Sequence, residues 1–538
     1  MASEQVSAQF TGSSNQKWGD QKRGAIAAGH PKAAAAGAQI LAAGGNAFDS
    51  AIAAVLAACV VEPMLTSLGG GGFLLAHSAE GEDTLFDFFT QTPCRQQIEG
   101  KVDFYPINAD FGDTVQEFHV GLGSMATPGM VAGLIHIHKK LGRLPFSTLV
   151  EPAIELAKTG ATVDEFRAYC FTILEPILTA NASARAVYAP KGTLLKAGDT
   201  LAMPEMAEAL LQLAKTGTAA FYRGEFAQQI VQACASGGYL TQADFDGYRV
   251  IERSPLRVNY RGTTLLTNPP PSSGGALIAF TLGLLEQADL NAVTPGSAAH
   301  LGILVNAMGL TNQARNDGLD TRLHQANSAE SFLSAEHCAP YRQAFYQAVS
   351  QRVNKWGSTT HVSVIDREGN AASVTTSNGE GSTYVIPGTQ IMVNNMLGEA
   401  DLNPQGFHQW QPNRRMSSMM APTLVLKDGQ AAIALGSGGS NRIRTAILQV
   451  VSNMVDFHMP LAEAVAAPRI HWEQQVFNLE PGFNRSAIEA TADWPVNQWL
   501  WWRQRNMFFG GVHAVAANPD GSLSGAGDRR RGGSHMIV

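Results

Sequence analysis

Gly357-Ser358-Thr359-Thr360-His361-Val362-Ser363-Val364-Ile365-Asp366 opens a strand with two adjacent threonines. From Thr359 the chain takes a period of two, as a β-strand does. Arg367-Glu368-Gly369-Asn370 then reads as a turn and 371–376 as a second strand. No Ser-His-Asp order, metal-ligand spacing or phosphate loop elsewhere competes with this junction. Threonine becomes a strong nucleophile when its own free α-amine serves as the base. Thr359 has such an amine only after a cut before it. The stretch therefore predicts a chain that cleaves itself between Ser358 and Thr359 and then acts on amides.

Working outward, the β pattern continues through 390–394 and 423–435, with a turn at Lys427-Asp428-Gly429, and a helix follows over 441–457. Upstream, His30-Pro31 begins a helical stretch rich in alanine, which Gly44-Gly45 stops. Asn46 or Asp49 caps a second helix, 51–61, ended by Pro63. Ser67-Leu68-Gly69-Gly70-Gly71-Gly72 precedes a strand at 73–77, and four glycines there permit a tight backbone path near a ligand or a neighbouring strand. The middle, about 125–350, reads as mostly helical, punctuated by Thr127-Pro128-Gly129 and Asn268-Pro269-Pro270-Pro271-Ser272-Ser273-Gly274-Gly275. Helices outside paired sheets make an α/β layered body.

Length alone, 538 residues, gives roughly two to four domains. A composition 45% hydrophobic and 15% charged is that of a packed enzyme. The net charge of −7 gives no electrostatic case for nucleic acid or an anionic membrane. The one dense basic run, Arg529-Arg530-Arg531, reads as a solvated or ion-paired turn. Cys59, Cys94, Cys170, Cys234 and Cys338 are odd in number and form no CxxC pair, so buried free thiols are expected rather than zinc or disulfides. Residues 1–22 read as a polar leader without an apolar segment, and the longest apolar stretch, 51–61, is too short to span a bilayer. A cytoplasmic protein that holds no membrane is expected.

These segments, in this order from about His30 to Gly533, resemble the γ-glutamyltranspeptidases, also called glutathione hydrolases, among the N-terminal-nucleophile hydrolases. The shared marks include Gly44-Gly45-Asn46-Ala47-Phe48-Asp49, the glycine run, Pro270 to Gly275, Thr359-Thr360-His361, Asn394-Asn395, Ser417-Ser418-Met419 and Gly436-Ser437-Gly438-Gly439. The resemblance implies a four-layer αββα sandwich. It implies a large piece, 23–358, and a small catalytic piece, 359–538, intertwined in one domain and associated as a heterodimer. It makes Thr359 the nucleophile, Ser377 its hydrogen-bonding neighbour, and Gly439 and Ser440 the oxyanion donors. Ser417 and Ser418 fall where the family binds the substrate α-carboxylate. Glu399 falls where it binds the α-amino group, with Asp401 as a nearby competitor. No cofactor or metal is implied. Water or an amino acid would accept the acyl group of a glutathione-like amide.

The chain also departs from the family pattern. Phe89 stands where an arginine clamps the glutamyl carboxylate, with Arg95 the nearest cation in sequence. Met396 replaces a glutamine after the Asn pair, and the oxyanion turn lacks its proline. The stretch 378–381 is short, which leaves its polar contact to Asn378 or Glu380. The segment 400–412 is also short, so an open cleft without a lid is expected. These departures leave two activities: a γ-glutamyl hydrolase or transferase, and an acylase of the same fold acting on a glutaryl or cephalosporin-type side chain. A catalytically silent scaffold is the remaining reading, and the intact Thr359, Ser377 and glycine turn argue against it.

Overall fold

The computed structural model describes residues 22–110, 115–345, 359–473, 476–491, 494 and 498–538. The leader residues 1–21 and Ser358 lie outside the described residues. Thirteen strands form the two main sheets: β1 Gly24–Ala28, β2 Gly71–His77, β3 Asp83–Phe88, β4 Ile251–Arg253, β5 Leu256–Tyr260, β6 Thr263–Thr267, β7 Thr360–Asp366, β8 Ala371–Ser377, β9 Thr423–Lys427, β10 Gln430–Gly438, β11 Gly511–Ala517, β12 Leu523–Ala526 and β13 Ser534–Ile537. The first sheet has the order β13-β1-β7-β8-β2-β3-β4, and the second β12-β11-β10-β9-β6-β5.

The sheets stack through β7 and β8 on one side and β10 and β11 on the other. Helices α1 (Pro31–Ala42) and α2 (Ala47–Val61) cover the outer face of the first sheet. Helices α3 (Gly274–Leu285) and α5 (Arg442–Val455) cover the second, with α4 (Ala298–Ala314) packed on α3. The result is a four-layer αββα sandwich.

Local sequence explains the entry into this body. His30 caps α1, its Nδ1 accepting the Lys32 N–H at 2.9 Å, and Pro31 occupies the first turn. Asn46 is the cap of α2, and Asp49 completes the capping box, so the two candidates share the task. The helix thus begins at Ala47, four residues before its expected start. Asp428 and Gly429, both with positive φ, close the β9–β10 hairpin.

Strand β7 differs from the half-wet strand that period two implies: all seven of its residues are buried. Its neighbours are β1 and β8, with α2 on one face and the second sheet on the other. Val362 and Val364 enter the core under α1 and α2, whereas Ile365 enters the core shared with the second sheet. His361 and Ser363 also face inward, and they satisfy each other there. His361 Nδ1 meets Thr375 Oγ1 and its Nε2 meets Ser363 Oγ, both at 2.8 Å. Burial and the neighbouring His513 push the imidazole well below its ordinary range, which keeps it neutral.

The glycine run 69–72 serves a neighbouring strand. A Cβ at Gly70 would lie 2.3 Å from the Ser377 carbonyl oxygen, so only glycine admits the end of β8. Strand β2 consequently starts at Gly71 instead of Phe73.

Candidate active site

Thr359 stands at the head of β7, on the inter-sheet side, 5% exposed. Its carbonyl accepts a hydrogen bond from Arg531 Nη1 at 3.2 Å. A Cβ at Gly438 would lie 2.1 Å from the same oxygen, so the glycine that ends β10 is what lets the second sheet reach the head of β7. The next residue, Thr360, is tied down from the other side. Its Oγ1 donates to Glu62 Oε2 at 3.1 Å, and Glu62 Oε1 lies 2.6 Å from Arg167 Nη2. Both members of this ion pair are buried.

Thr359 lines a cleft in the surface. The cleft brings together Ser377, Glu399, Ser417, Ser418 and Ser440 from four separate stretches of chain. Ser377 Oγ accepts the Gly379 N–H at 3.0 Å. Ser440 has φ 48°, and its hydroxyl donates to Asp401. The Gly439 and Ser440 N–H groups make no hydrogen bond among the described residues. Donors left in this state can receive an oxyanion. Of the glycine turn, Ser440 lines the cleft and Gly439 adjoins it in sequence, whereas Asn378 is not among the lining residues. The Asn378 side chain is buried, and the short loop instead presents Gly379.

The Ser417-Ser418 turn rests on the Pro270–Gly275 motif. Ser272 Oγ and Ser273 N–H both donate to the Ser418 carbonyl, at 2.7 and 2.8 Å. Ser418 Oγ accepts the Met420 N–H at 3.0 Å, which leaves its own proton to donate. Asn395 plays a parallel part opposite, where its Oδ1 accepts the Glu380 and Gly381 N–H groups at 2.8 and 3.2 Å. Glu399 Oε1 accepts the Glu380 N–H at 3.3 Å. Burial, then the charges of Glu380 and Asp401, raise the Glu399 carboxyl well above the ordinary glutamate range. It therefore carries a proton at a pH where a free glutamate is ionised.

Phe89 lines the cleft and stacks on Phe73, with ring centroids 5.4 Å apart. Arg95 does not reach in: its Nη2 donates to the Gly238 carbonyl at 2.7 Å, and it does not line the cleft. Met396 lines the cleft as well. The short segment 400–412 contributes Asp401, Leu402 and Pro404 to the wall, so it bounds the cleft instead of leaving that side empty.

Sequence reasoning missed three groups. Arg531 belongs to the basic run, but only Arg529 is exposed; Arg530 pairs with Glu480, and Arg531 lies beneath Thr359. Glu62 and Arg167 came from helical stretches with no motif to mark them. Arg315 lines the cleft from the turn after α4. The Arg529-Arg530-Arg531 run was the only one of these signals visible in the sequence.

All five cysteines are free, and Cys94 is the one that is partly exposed. Among the described residues no group of His, Cys, Asp and Glu converges to hold a metal, and no helix is long and apolar enough to cross a membrane.

The gamma-glutamyltranspeptidase family model matches residues 33–538. Among curated proteins, the chain is 33% identical over 530 residues to an acylase ACY 1 proenzyme of Pseudomonas sp. (strain V22), covering 96% of this chain and 94% of that one. It is 31% identical over 547 residues to the glutathione hydrolase proenzyme of Escherichia coli (strain K12), covering 95% and 90%. Among solved structures, a cephalosporin acylase from Bacillus halodurans superposes with a TM-score of 0.83 at 25% identity, over 98% of each chain. Sandwich, threonine-headed strand and facing glycine turn agree with a match of this length, and the chain belongs to the gamma-glutamyltranspeptidase family.

Proposed function

We propose that this chain cuts itself between Ser358 and Thr359 and then hydrolyses amides through a Thr359 acyl-enzyme, with a glutaryl-type acyl group preferred over γ-glutamyl. In the precursor the Thr359 hydroxyl attacks the Ser358 carbonyl, the Ser358–Thr359 C–N bond breaks to leave an ester with the α-amine free, and water hydrolyses that ester to the Ser358 carboxylate and the Thr359 hydroxyl. In turnover that amine takes the hydroxyl proton as the oxygen attacks the substrate carbonyl. The Gly439 and Ser440 N–H groups receive the oxyanion, and the Thr359 ammonium passes its proton to the substrate's amine, which leaves as the amide C–N bond breaks. Water then releases the acid. Strands β1, β2 and β3 come from before the cut and β7, β8 and β13 from after it, so the two fragments remain joined through one sheet.

The observation that carries the acyl preference is the placing of Glu399 in the cleft wall, buried and beside two further acids, Glu380 and Asp401, which raise its carboxyl. A γ-glutamyl group brings both an α-carboxylate and an α-ammonium. Phenylalanine offers no charge-assisted bond to the first. A neutral carboxyl is a weak partner for the second until it loses its proton. A glutaryl group keeps the carboxylate but lacks the ammonium, so it makes no demand on Glu399. The acylase relatives are consistent with this preference. The γ-glutamyl reading, with glutathione-like amides and water or an amino acid as acceptor, is favoured by Ser417, Ser418 and Glu399 lining the same cleft.

The test is the mass and N-terminal sequence of the smaller fragment, followed by kcat/KM on glutaryl and γ-glutamyl 4-nitroanilides. A fragment starting at Thr359 and a glutaryl preference are expected, and Thr359→Ala should stay one inactive chain. Splitting of Thr359→Ala at this bond would remove Thr359 as the processing nucleophile. A γ-glutamyl preference would return the acyl assignment to the second reading.

A further inference from the structure

The clamp arginine is missing at Phe89, yet the cleft holds another cation on a different element. Arg315 follows α4 at the start of a kink, Arg315–Leu319, where Gly318 at φ 114° departs from helical geometry. Among the described residues lining the cleft, Arg315 is the one cationic side chain.

Its guanidinium is anchored on two sides and open on the third. Nε donates to both Asp320 oxygens, at 2.9 and 3.2 Å, and Nη1 donates to Asn441 Oδ1 at 3.2 Å. Nη2 has no hydrogen-bond partner among the described residues. Asn441 is itself fixed, its Nδ2 donating to Glu473 at 3.1 Å, and it directly follows Ser440 of the oxyanion turn. The side chain is 15% exposed, which is the exposure of a wall residue facing a cleft. Arg415, by contrast, sits behind Phe89 with its Nη groups bound to the carbonyls of Phe89 and Arg249 and to the Tyr248 hydroxyl.

The acids that act on Arg315 are Asp320, Glu473 and Asp401. Asp320 is engaged by Arg315 itself, and Asp401 accepts the Ser440 hydroxyl. Behind the wall, Arg444 lies 3.9 Å from Glu473, and Arg442 adds a further buried cation. A guanidinium held at Nε and Nη1 but free at Nη2 is set up in advance to receive a carboxylate oxygen.

Building on the Thr359 amidase reading above, we infer that Arg315 is the specificity-determining residue of this cleft, receiving a carboxylate of the substrate in place of the arginine that Phe89 displaces. The carboxylate could belong to the acyl group or to the leaving amine, and matched substrates separate the two. The processed enzyme, Arg315→Met, Arg315→Lys and the double variant Arg315→Met/Asp320→Asn are assayed on glutaryl and pentanoyl 4-nitroanilides, which share chain length and differ in the terminal carboxylate. The same acyl groups on 3-carboxy-4-nitroaniline place a carboxylate on the leaving side. Glutarate binding to each protein is measured by calorimetry.

Arg315→Met, with or without Asp320→Asn, should lower the glutaryl-to-pentanoyl ratio of kcat/KM by about 10- to 100-fold, mainly through KM. Arg315→Lys should recover part of that ratio, and glutarate binding should weaken by a similar factor. A loss that tracks the 3-carboxy group instead assigns the carboxylate to the leaving side and keeps Arg315 as its receptor. Equal effects on all four anilides, or glutarate binding that does not depend on Arg315, would overturn the inference. If wild-type enzyme cleaves no anilide while glutarate binding still depends on Arg315, the amidase reading has failed and the carboxylate site stands.

Discussion

Glu62→Gln tests how the head of β7 is held. The Glu62 carboxylate and the Arg167 guanidinium are both buried, 2.6 Å apart, and the other Glu62 oxygen accepts the Thr360 hydroxyl. Removing one charge from a dry pair leaves the other unpaired, a loss of about 3–5 kcal/mol. Arg167 would keep Asp164 at 2.8 Å and the Gly29 carbonyl, so the lower end, about 3 kcal/mol, is expected. Glutamine fills the same space but binds Thr360 without charge, so the residue next to the nucleophile loosens. A shift on the order of 1 Å at a reacting atom can lower the rate by about 100-fold. We expect a lower urea midpoint, slower release of the Thr359 fragment, and kcat reduced by about 10- to 100-fold with KM changed less. The double variant Glu62→Met/Arg167→Met removes both charges and should recover most of the stability. It cannot restore the Thr360 hydrogen bond, so kcat should stay low. Recovery of kcat in the double variant would refute the tether, and a wild-type urea midpoint in Glu62→Gln would refute the buried-pair energetics.

Three further outcomes follow from the cleft. Ser418→Ala should raise KM more than it lowers kcat, as loss of uniform binding does, and steady-state kinetics showing a fall in kcat alone would contradict that role. Arg531→Met removes the hydrogen bond to the Thr359 carbonyl and should lower kcat by about 10-fold, with single-turnover rates as the check. Glu399→Gln concerns pH. A carboxyl whose folded pKa is raised contributes stability that is complete below the unfolded value, and loses it as pH rises through the folded value. The melting temperature of Glu399→Gln relative to wild type should therefore climb between pH 5 and pH 8, and a difference that does not change with pH would count against the protonated Glu399.

Much of this molecule was legible in its chain. The Asn46/Asp49 cap, the Asp428-Gly429 hairpin and the strands at 360–366 and 371–377 follow from contacts within a few residues, which local sequence specifies. The glycine runs were visible as demands for space, although not whose space. Gly70 yields to Ser377 and Gly438 to Thr359, partners about 307 and 79 positions away, and no local pattern names them.

The same division runs through the cleft. The order of motifs pointed to Thr359, Ser377, Glu399, Ser417, Ser418 and Ser440, because each sits in a distinctive stretch, and these six share one cavity. The chain also announced the loss at Phe89. Which cation lines the cleft was decided by packing: Arg95 turns to the Gly238 carbonyl, and Arg315, more than 200 residues away, reaches the cleft from a kink after α4. Glu62, Arg167 and Arg531 gather around Thr359 in the same way, from a helix, a second helix and the C-terminal turn. Sequence by itself determined the strands, the caps and the threonine that heads β7, since those depend on neighbours along the chain. Only the tertiary structure decided which charges surround it, because a buried charge is placed by whichever partner the folded layers bring within hydrogen-bonding distance.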